Sequence, residues 1–182
     1  MARLVTFLLL AAAMVCAQTP AVHTQAAQSG GTPAAAAPDA AQIVKLFGPA
    51  FRPDPAFPVL VADFDGDGAE DAVAVATGED PALDQFAFHY RVSDPMSAAF
   101  GFKDPKLMQK FSTEEKPRYL LIVLNWRAPK AKFVLMNVPF DSLSVTRVPL
   151  KKKAVFAVRA TDVTGMKSAV YWDGKQWKWE EE

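Results

Sequence analysis

The sequence predicts a mainly β fold class, a small antiparallel β-sheet domain with minor helices. After Pro58, short segments of β-branched, aromatic and small apolar residues follow one another and are separated by turn residues. Residues 86–92 alternate apolar and polar side chains with a period of two, which is typical of a half-buried strand. Asp173 and Gly174 separate the last two segments and are a strong signal for a two-residue hairpin. Short connections of this kind join antiparallel strands.

The overall composition fits one globular domain and carries little direct information about function. The chain has 182 residues, of which 51% are hydrophobic. Lys and Arg together number 20, as do Asp and Glu, so the formal net charge is zero. Nucleic acids and anionic membranes attract proteins through clusters of basic residues. We therefore expect no nucleic-acid partner.

Residues 1–17 have the pattern of a secretory signal peptide. Arg3 precedes an apolar run over residues 4–15, and small residues follow. The run is too short for a transmembrane helix. Cleavage after Ala17 would release a secreted or periplasmic protein.

Cys16 supplies an alternative, in which the protein is a lipoprotein with a lipid anchor on this cysteine. Lipoprotein signals usually have Leu three residues before the cysteine and Gly, Ala or Ser directly before it, whereas this chain has Ala13 and Val15 there. Cys16 is the only cysteine in the chain. A cleaved protein therefore has no disulfide, zinc–thiolate site or thiol nucleophile.

Residues 18–38 are predicted to be a disordered linker, because they consist mainly of Ala, Pro, Gln, Thr, Ser and Gly. A single β-rich domain is then expected over residues 39–182. Its first element is a helix, with Asp39 as N-cap and with Gly48 and Pro49 as the end signal. The apolar face of this helix consists of Ile43, Val44 and Phe47.

The expected strands follow in chain order. Residues 59–62 and 71–77 are apolar on both faces, which favours buried strands. The fourth and fifth strands are expected to form a hairpin around a turn that contains Pro129. A short helix is expected at residues 104–111. The complete set of expected strands is 59–62, 71–77, 86–92, 119–126, 132–138, 154–161, 168–172 and 175–180.

The acidic loop, residues 63–71, reads D-x-D-G-D-G-x-x-D and places carboxylates at positions 1, 3, 5 and 9. Like charges this close repel one another unless a cation compensates them. Hard oxygen ligands on a tight loop suit calcium, whereas magnesium prefers octahedral geometry and keeps its waters. Ala69, at position 7, is free to offer its backbone carbonyl. The alternative is an ordinary solvated turn. The four carboxylates belong to Asp63, Asp65, Asp67 and Asp71.

The acidic loop departs from an EF-hand, because position 12 is Ala74 instead of Glu and a strand follows instead of a helix. The stretch resembles the FG-GAP repeat of integrin α subunits and the related bacterial VCBS repeat, in which the same loop joins two apolar strands. The resemblance is confined to this hairpin. It implies calcium ligands at Asp63, Asp65, Asp67 and Asp71 and at the carbonyl of Ala69.

FG-GAP and VCBS repeats usually come in several copies that close a β-propeller. Residues 162–165 look like a degenerate second copy, which keeps Asp162 but lacks counterparts of Asp67 and Asp71. The chain is too short for the blades of a complete propeller. We therefore expect blade-like hairpins, with residues 79–118 inserted after the first one.

The sequence offers no catalytic set. The two histidines are His23, in the linker, and His89, in an expected strand, so neither a His-based metal cluster nor a triad is predicted. A G-x-S-x-G motif is absent. Asp162 and Asp173 form a conceivable carboxylate pair, but we do not expect it to be catalytic.

Trp177 and Trp179 share one face of the last expected strand. Buried indoles would close the core of the sheet, whereas exposed ones would form a platform for a sugar or a protein partner. We favour the core. The lysine run at residues 151–153 is expected to be a solvated turn, with contact to an anionic surface as the alternative.

These observations favour an exported, non-enzymatic, calcium-stabilised binding or adhesion-like module of the bacterial envelope or extracellular space. Its partner would be a protein or a glycan. The alternative is a polysaccharide-active hydrolase or its accessory carbohydrate-binding domain, with the tryptophans as sugar subsites. Exposure of Trp177 and Trp179 distinguishes the two, because the hydrolase alternative depends on it.

Overall fold

A computed structural model describes residues 37–102, 117–151 and 153–182. The predictions for residues 1–36 and for a helix at residues 104–111 lie outside the described residues. Among the described residues, no helix is long and apolar enough to cross a membrane. The elements in chain order are α1 (Ala40–Lys45), β1 (Phe51–Pro53), β2 (Leu60–Ala62), β3 (Asp71–Gly78), β4 (Arg91–Ser93), α2 (Pro95–Ala99), β5 (Arg118–Leu124), β6 (Ala131–Leu135), β7 (Ser142–Leu150), β8 (Lys153–Thr161), β9 (Lys167–Trp172) and β10 (Trp177–Glu181).

The first sheet contains β1 to β6, and β5 is its middle strand. β3 pairs antiparallel with β5, which pairs antiparallel with β6, and β6 pairs parallel with β4. β1 pairs with residues 76–78 of β3, and β2 pairs with residues 71–73. The two short strands therefore form one interrupted edge along β3.

The second sheet is an antiparallel meander in the order β10-β9-β8-β7. Each of its strands pairs with the next strand in sequence. The mainly β fold class with minor helices is thus confirmed, and the two open sheets do not form a complete propeller.

The main core lies where the first sheet packs against the second. Leu120 and Ile122 from β5 belong to the same buried cluster as Val158, Val170 and Trp177 from the second sheet. The opposite face of the first sheet is covered by α1, through a second buried cluster. Because β3 is covered on both faces, its Val residues enter one cluster and its Ala residues the other, as its continuous apolar sequence predicts.

The predicted first helix is confirmed as α1. The Asp39 side chain caps it by accepting a hydrogen bond from the Ala41 backbone N–H at 3.1 Å. Gly48 follows the helix with φ +96°, a left-handed conformation that favours glycine. A β-carbon at this position would lie 2.4 Å from Phe88 Cε2, so only glycine fits.

The prediction of a strand at residues 86–92 is wrong for most of that segment. Turns occupy residues 81–89, His89 is left-handed with φ +53°, and regular pairing begins only at β4. The Tyr90 hydroxyl donates a hydrogen bond to the Pro81 carbonyl at 2.7 Å and closes the turn. The Tyr90 ring packs against Phe47, whereas Phe86 is 81% exposed. The alternation therefore reflects individual aromatic contacts and not a β-ladder.

Two further differences concern the second sheet. The strand β7 was not expected, because its apolar residues change parity between Val145 and Val148 and because it contains Pro149. The β9–β10 hairpin has a four-residue connection, residues 173–176, instead of two, since Trp172 pairs with Trp177.

Trp177 and Trp179 are 2% and 7% exposed, and both belong to the main core. The prediction of a core role is confirmed, and the alternative of a surface platform is wrong. Their indole N–H groups have no hydrogen-bond acceptor among the described residues. The two side chains therefore stabilise the fold through the apolar surface that they bury.

Trp177→Ala should lower the free energy of unfolding by about 3 to 5 kcal/mol, because it opens a large cavity between the sheets. Phe86→Ala serves as the control, since the ring is exposed, and should change stability by less than about 0.5 kcal/mol. Urea unfolding followed by fluorescence measures both. Equal effects of the two substitutions would contradict the described core.

Candidate metal centre

The acidic loop connects β2 to β3 at one end of the first sheet. Ala62 pairs with Asp71, so the strands bring the two ends of the loop together. Gly66 and Gly68 have φ +77° and +90°. These left-handed conformations turn the chain sharply between the aspartates.

The aspartates of the acidic loop accept hydrogen bonds from its own backbone. Asp63 Oδ1 accepts from the N–H groups of Gly66 and Asp67, at 2.8 and 3.0 Å, and its Oδ2 accepts from Gly68 at 3.0 Å. Asp65 Oδ1 accepts from Asp67, and Asp67 Oδ1 accepts from Ala69. The loop is thereby wrapped around its own carboxylates.

Asp71 is completely buried and ties the acidic loop to the neighbouring hairpin. Its Oδ2 accepts hydrogen bonds from the backbone N–H groups of Phe64 and Asp65 at 2.7 and 3.2 Å. Its Oδ1 accepts from the Asn125 N–H at 2.8 Å. Burial raises the pKa of Asp71 to about 6, against the opposing effect of these three hydrogen bonds.

Three of the predicted ligands come together. One carboxylate oxygen from each of Asp63, Asp65 and Asp71 lies within 4.8 Å of the other two, and this is the single such acidic group among the described residues. Asp67 Oδ2 points elsewhere, to the Lys130 Nζ at 3.0 Å. The Ala69 backbone N–H donates to Asp67. An acidic cluster that can hold a metal ion is therefore present.

Lysine side chains supply positive charge at the acidic loop. Lys130 Nζ also lies 3.6 Å from Asp65 Oδ2. Hydrogen bonds from the Ala69 N–H and Lys130 lower the pKa of Asp67, and the contact with Asp67 raises that of Lys130. From the second sheet, Lys153 Nζ comes within 3.3 Å of the point where a β-carbon on Gly66 would lie. Lys153 belongs to the lysine run predicted to be a solvated turn.

Lys130 contacts the acidic loop but is not recognisable as part of the site from local sequence patterns. Lys130 lies in the β5–β6 turn, 59 positions after Asp71, which ends the acidic loop. No local motif connects the turn with the loop. Only the strand pairing indicates that Lys130 lies near the loop, because β3 and β5 pair from Ala72 and Val123 onward. That register places the turn after β5 beside the acidic loop.

The turn at residues 162–165 is organised differently. Asp162 Oδ1 accepts hydrogen bonds from the Thr164 hydroxyl and from the backbone N–H groups of Thr164 and Met166. These bonds hold the pKa of Asp162 below its usual range. Among the described residues, no second carboxylate joins it in a cluster. Asp162 and Asp173 flank β9 at opposite ends and do not form a pair.

Comparisons of the chain with family models, with curated proteins and with solved structures found no significant match.

The raised pKa of Asp71 predicts a specific pH dependence in EDTA. An unfolded Asp has a pKa near 3.9, so between about pH 4 and 6 the native protein binds more protons than the unfolded chain. The contribution of Asp71 is therefore greatest at low pH, and it declines by up to about 3 kcal/mol as the pH rises from about 4 through 6. Asp71→Asn cannot titrate and lacks this decline.

Urea unfolding of both proteins between pH 4 and 7 measures the difference, and the other acidic groups cancel in the comparison. The advantage of the wild type over Asp71→Asn should be largest near pH 4 and should shrink toward pH 7. An advantage that grows with pH would mean that the pKa of Asp71 is lowered.

Proposed function

We propose that the acidic loop binds calcium and that the protein is an exported, non-enzymatic binding module stabilised by this ion. The observation that carries the proposal is the convergence of Asp63, Asp65 and Asp71 around one point, at the end of a buried strand.

The charge at the cluster supports a bound cation. Asp71 is completely buried, and a buried carboxylate is costly to ionise without compensation. Its three backbone hydrogen bonds supply part of that compensation. Lys130 makes its ion pairs with Asp65 and Asp67, and no ion pair to Asp71 is found among the described residues. A cation between the three carboxylates would compensate Asp71 directly.

The chemistry of the donors favours calcium over other metals. The cluster offers carboxylate oxygens without His or Cys, which suits calcium or magnesium better than zinc or copper. Calcium takes six to eight oxygen ligands at about 2.3–2.6 Å and tolerates the irregular geometry of a flexible loop. Asp63, Asp65 and Asp71 would bind it, and the sequence resemblance adds Asp67 and the Ala69 carbonyl. The ion would supply positive charge that holds the loop and β3 together.

The proposed role as a binding module rests on several supports. The pattern of residues 1–17 favours export, and residues 18–38 would tether the domain. Exposed Leu83 and Phe86, on one turn, offer apolar surface for contact with a protein partner. The hydrolase alternative depended on exposed tryptophans, and burial of Trp177 and Trp179 removes that support.

Calorimetric titration of calcium into chelator-treated protein tests the proposal. Extracellular calcium modules bind with dissociation constants of about 0.1–1 mM, and we expect the same range here. Calcium at ten times the dissociation constant should then stabilise the fold by about 1.4 kcal/mol, measured as a raised melting temperature. Magnesium should produce a smaller shift, because it gives up its waters reluctantly.

Two variants separate the cluster from a general loss of acidic charge. Asp65→Ala should abolish both the heat and the shift in melting temperature. Asp162→Ala removes a carboxylate from a similar turn that lacks a cluster, and it should keep both. Failure of the wild type to respond at millimolar calcium, or an equal loss in the two variants, would refute the calcium site.

A further inference from the structure

The turn that carries Lys130 is fastened to the acidic loop by its backbone. The Asn125 N–H donates to Asp71 Oδ1, and the Trp126 N–H donates to the Glu70 carbonyl at 3.1 Å. Arg127 forms an ion pair with the Glu70 side chain. The Lys130 N–H donates to the Leu124 carbonyl at 3.0 Å and closes the turn. These contacts fix the backbone of Lys130 beside the acidic loop.

The Lys130 ammonium contacts one carboxylate of the acidic cluster, that of Asp65. Its Nζ lies 3.6 Å from Asp65 Oδ2 and 3.0 Å from Asp67 Oδ2. The Asp65 side chain is only 8% exposed, whereas that of Lys130 is 58% exposed. The ammonium thus reaches the acidic loop from the solvent side and has room to leave. Its ion pair with Asp65 therefore engages one of the three carboxylates of the acidic cluster.

We propose that Lys130 is a tethered competitor of calcium, whose ammonium compensates the acidic loop when the ion is absent and must withdraw when calcium binds. This inference rests on the proposed calcium site and describes how its affinity is set. An ammonium and a calcium ion that share Asp65 repel each other at close range, so both do not contact it together. Calcium binding therefore includes the cost of breaking the lysine contacts.

The competition has a calculable size. When only a fraction of the protein is free to bind, the apparent dissociation constant rises by the inverse of that fraction. An exposed ion pair of ordinary strength corresponds to a factor of about two to five. Removal of the Lys130 charge should therefore tighten calcium binding by about that factor, and it should destabilise only the calcium-free protein.

Lys153 and Lys167 provide matched controls of equal charge. Lys153 comes close to Gly66 but forms no ion pair with an aspartate among the described residues. Lys167 is exposed and pairs with Thr161, at the far end of β8 from Lys153. β8 has nine residues, which corresponds to roughly 26 Å. Lys153→Met measures the effect of nearby charge without contact, and Lys167→Met measures the effect of net charge alone.

The test is calcium titration by calorimetry, at constant ionic strength, of the wild type, Lys130→Met, Lys153→Met and Lys167→Met. Thermal melting in EDTA and in saturating calcium accompanies each titration. Lys130→Met should bind calcium about two- to fivefold more tightly. Its melting temperature should fall below that of the wild type in EDTA and should converge with it in calcium. Lys153→Met should show a smaller change and Lys167→Met none.

Each other outcome has a definite meaning. Unchanged or weaker calcium binding by Lys130→Met would overturn the inference while leaving the calcium site in place. An equal effect of Lys153→Met would also overturn it, because the cause would then be the general field and not contact. If neither the wild type nor Lys130→Met binds calcium, the site itself is refuted and the inference falls with it.

Discussion

The buried carboxylate of Asp71 is the interaction on which the site and its neighbouring strands depend. One oxygen holds the start of the acidic loop through the Phe64 and Asp65 amides, and the other holds the β5–β6 turn through the Asn125 amide. A single side chain thus fixes two loops that are separated in sequence by more than fifty residues. Asn125 has φ +50°, so the same hydrogen bond also secures a left-handed residue at the start of that turn.

The electrostatics of the site follow from this arrangement. Asp71 holds the Phe64 and Asp65 backbone amides, so the carboxylates of Asp63 and Asp65 lie close to its own carboxylate although their charges are alike. The same hydrogen bond places the β5–β6 turn, and therefore Lys130, against the acidic loop. The carboxylates and the lysine that compensates them are thus positioned by one constraint. In the proposed calcium site, affinity would reflect a balance between the Lys130 ammonium and the bound ion.

The parts of the structure that sequence patterns predict are those decided by local chemistry. The Asp39 cap, the fully covered β3 and the tight acidic loop each follow from residues within a few positions of one another. Residues 81–89 do not, because Phe88 packs against the cluster that includes α1 while Phe86 is exposed, and the segment forms turns instead of the strand that its alternation suggests. Lys130 is likewise invisible to local patterns, since its role depends on the register between β3 and β5. Tertiary pairing, and not propensity, completes the site.

Anomalous diffraction from crystals grown in EDTA and then soaked in millimolar calcium tests the proposed calcium site directly. We expect a peak between Asp63, Asp65 and Asp71, about 2.3–2.6 Å from their oxygens. We also expect the Lys130 ammonium to move from its ion-pair distance of 3.6 Å to Asp65 in the calcium-free crystals to a position beyond about 4 Å in the soaked ones. The absence of a peak, with the ammonium still in contact with Asp65 and Asp67, would refute the calcium site.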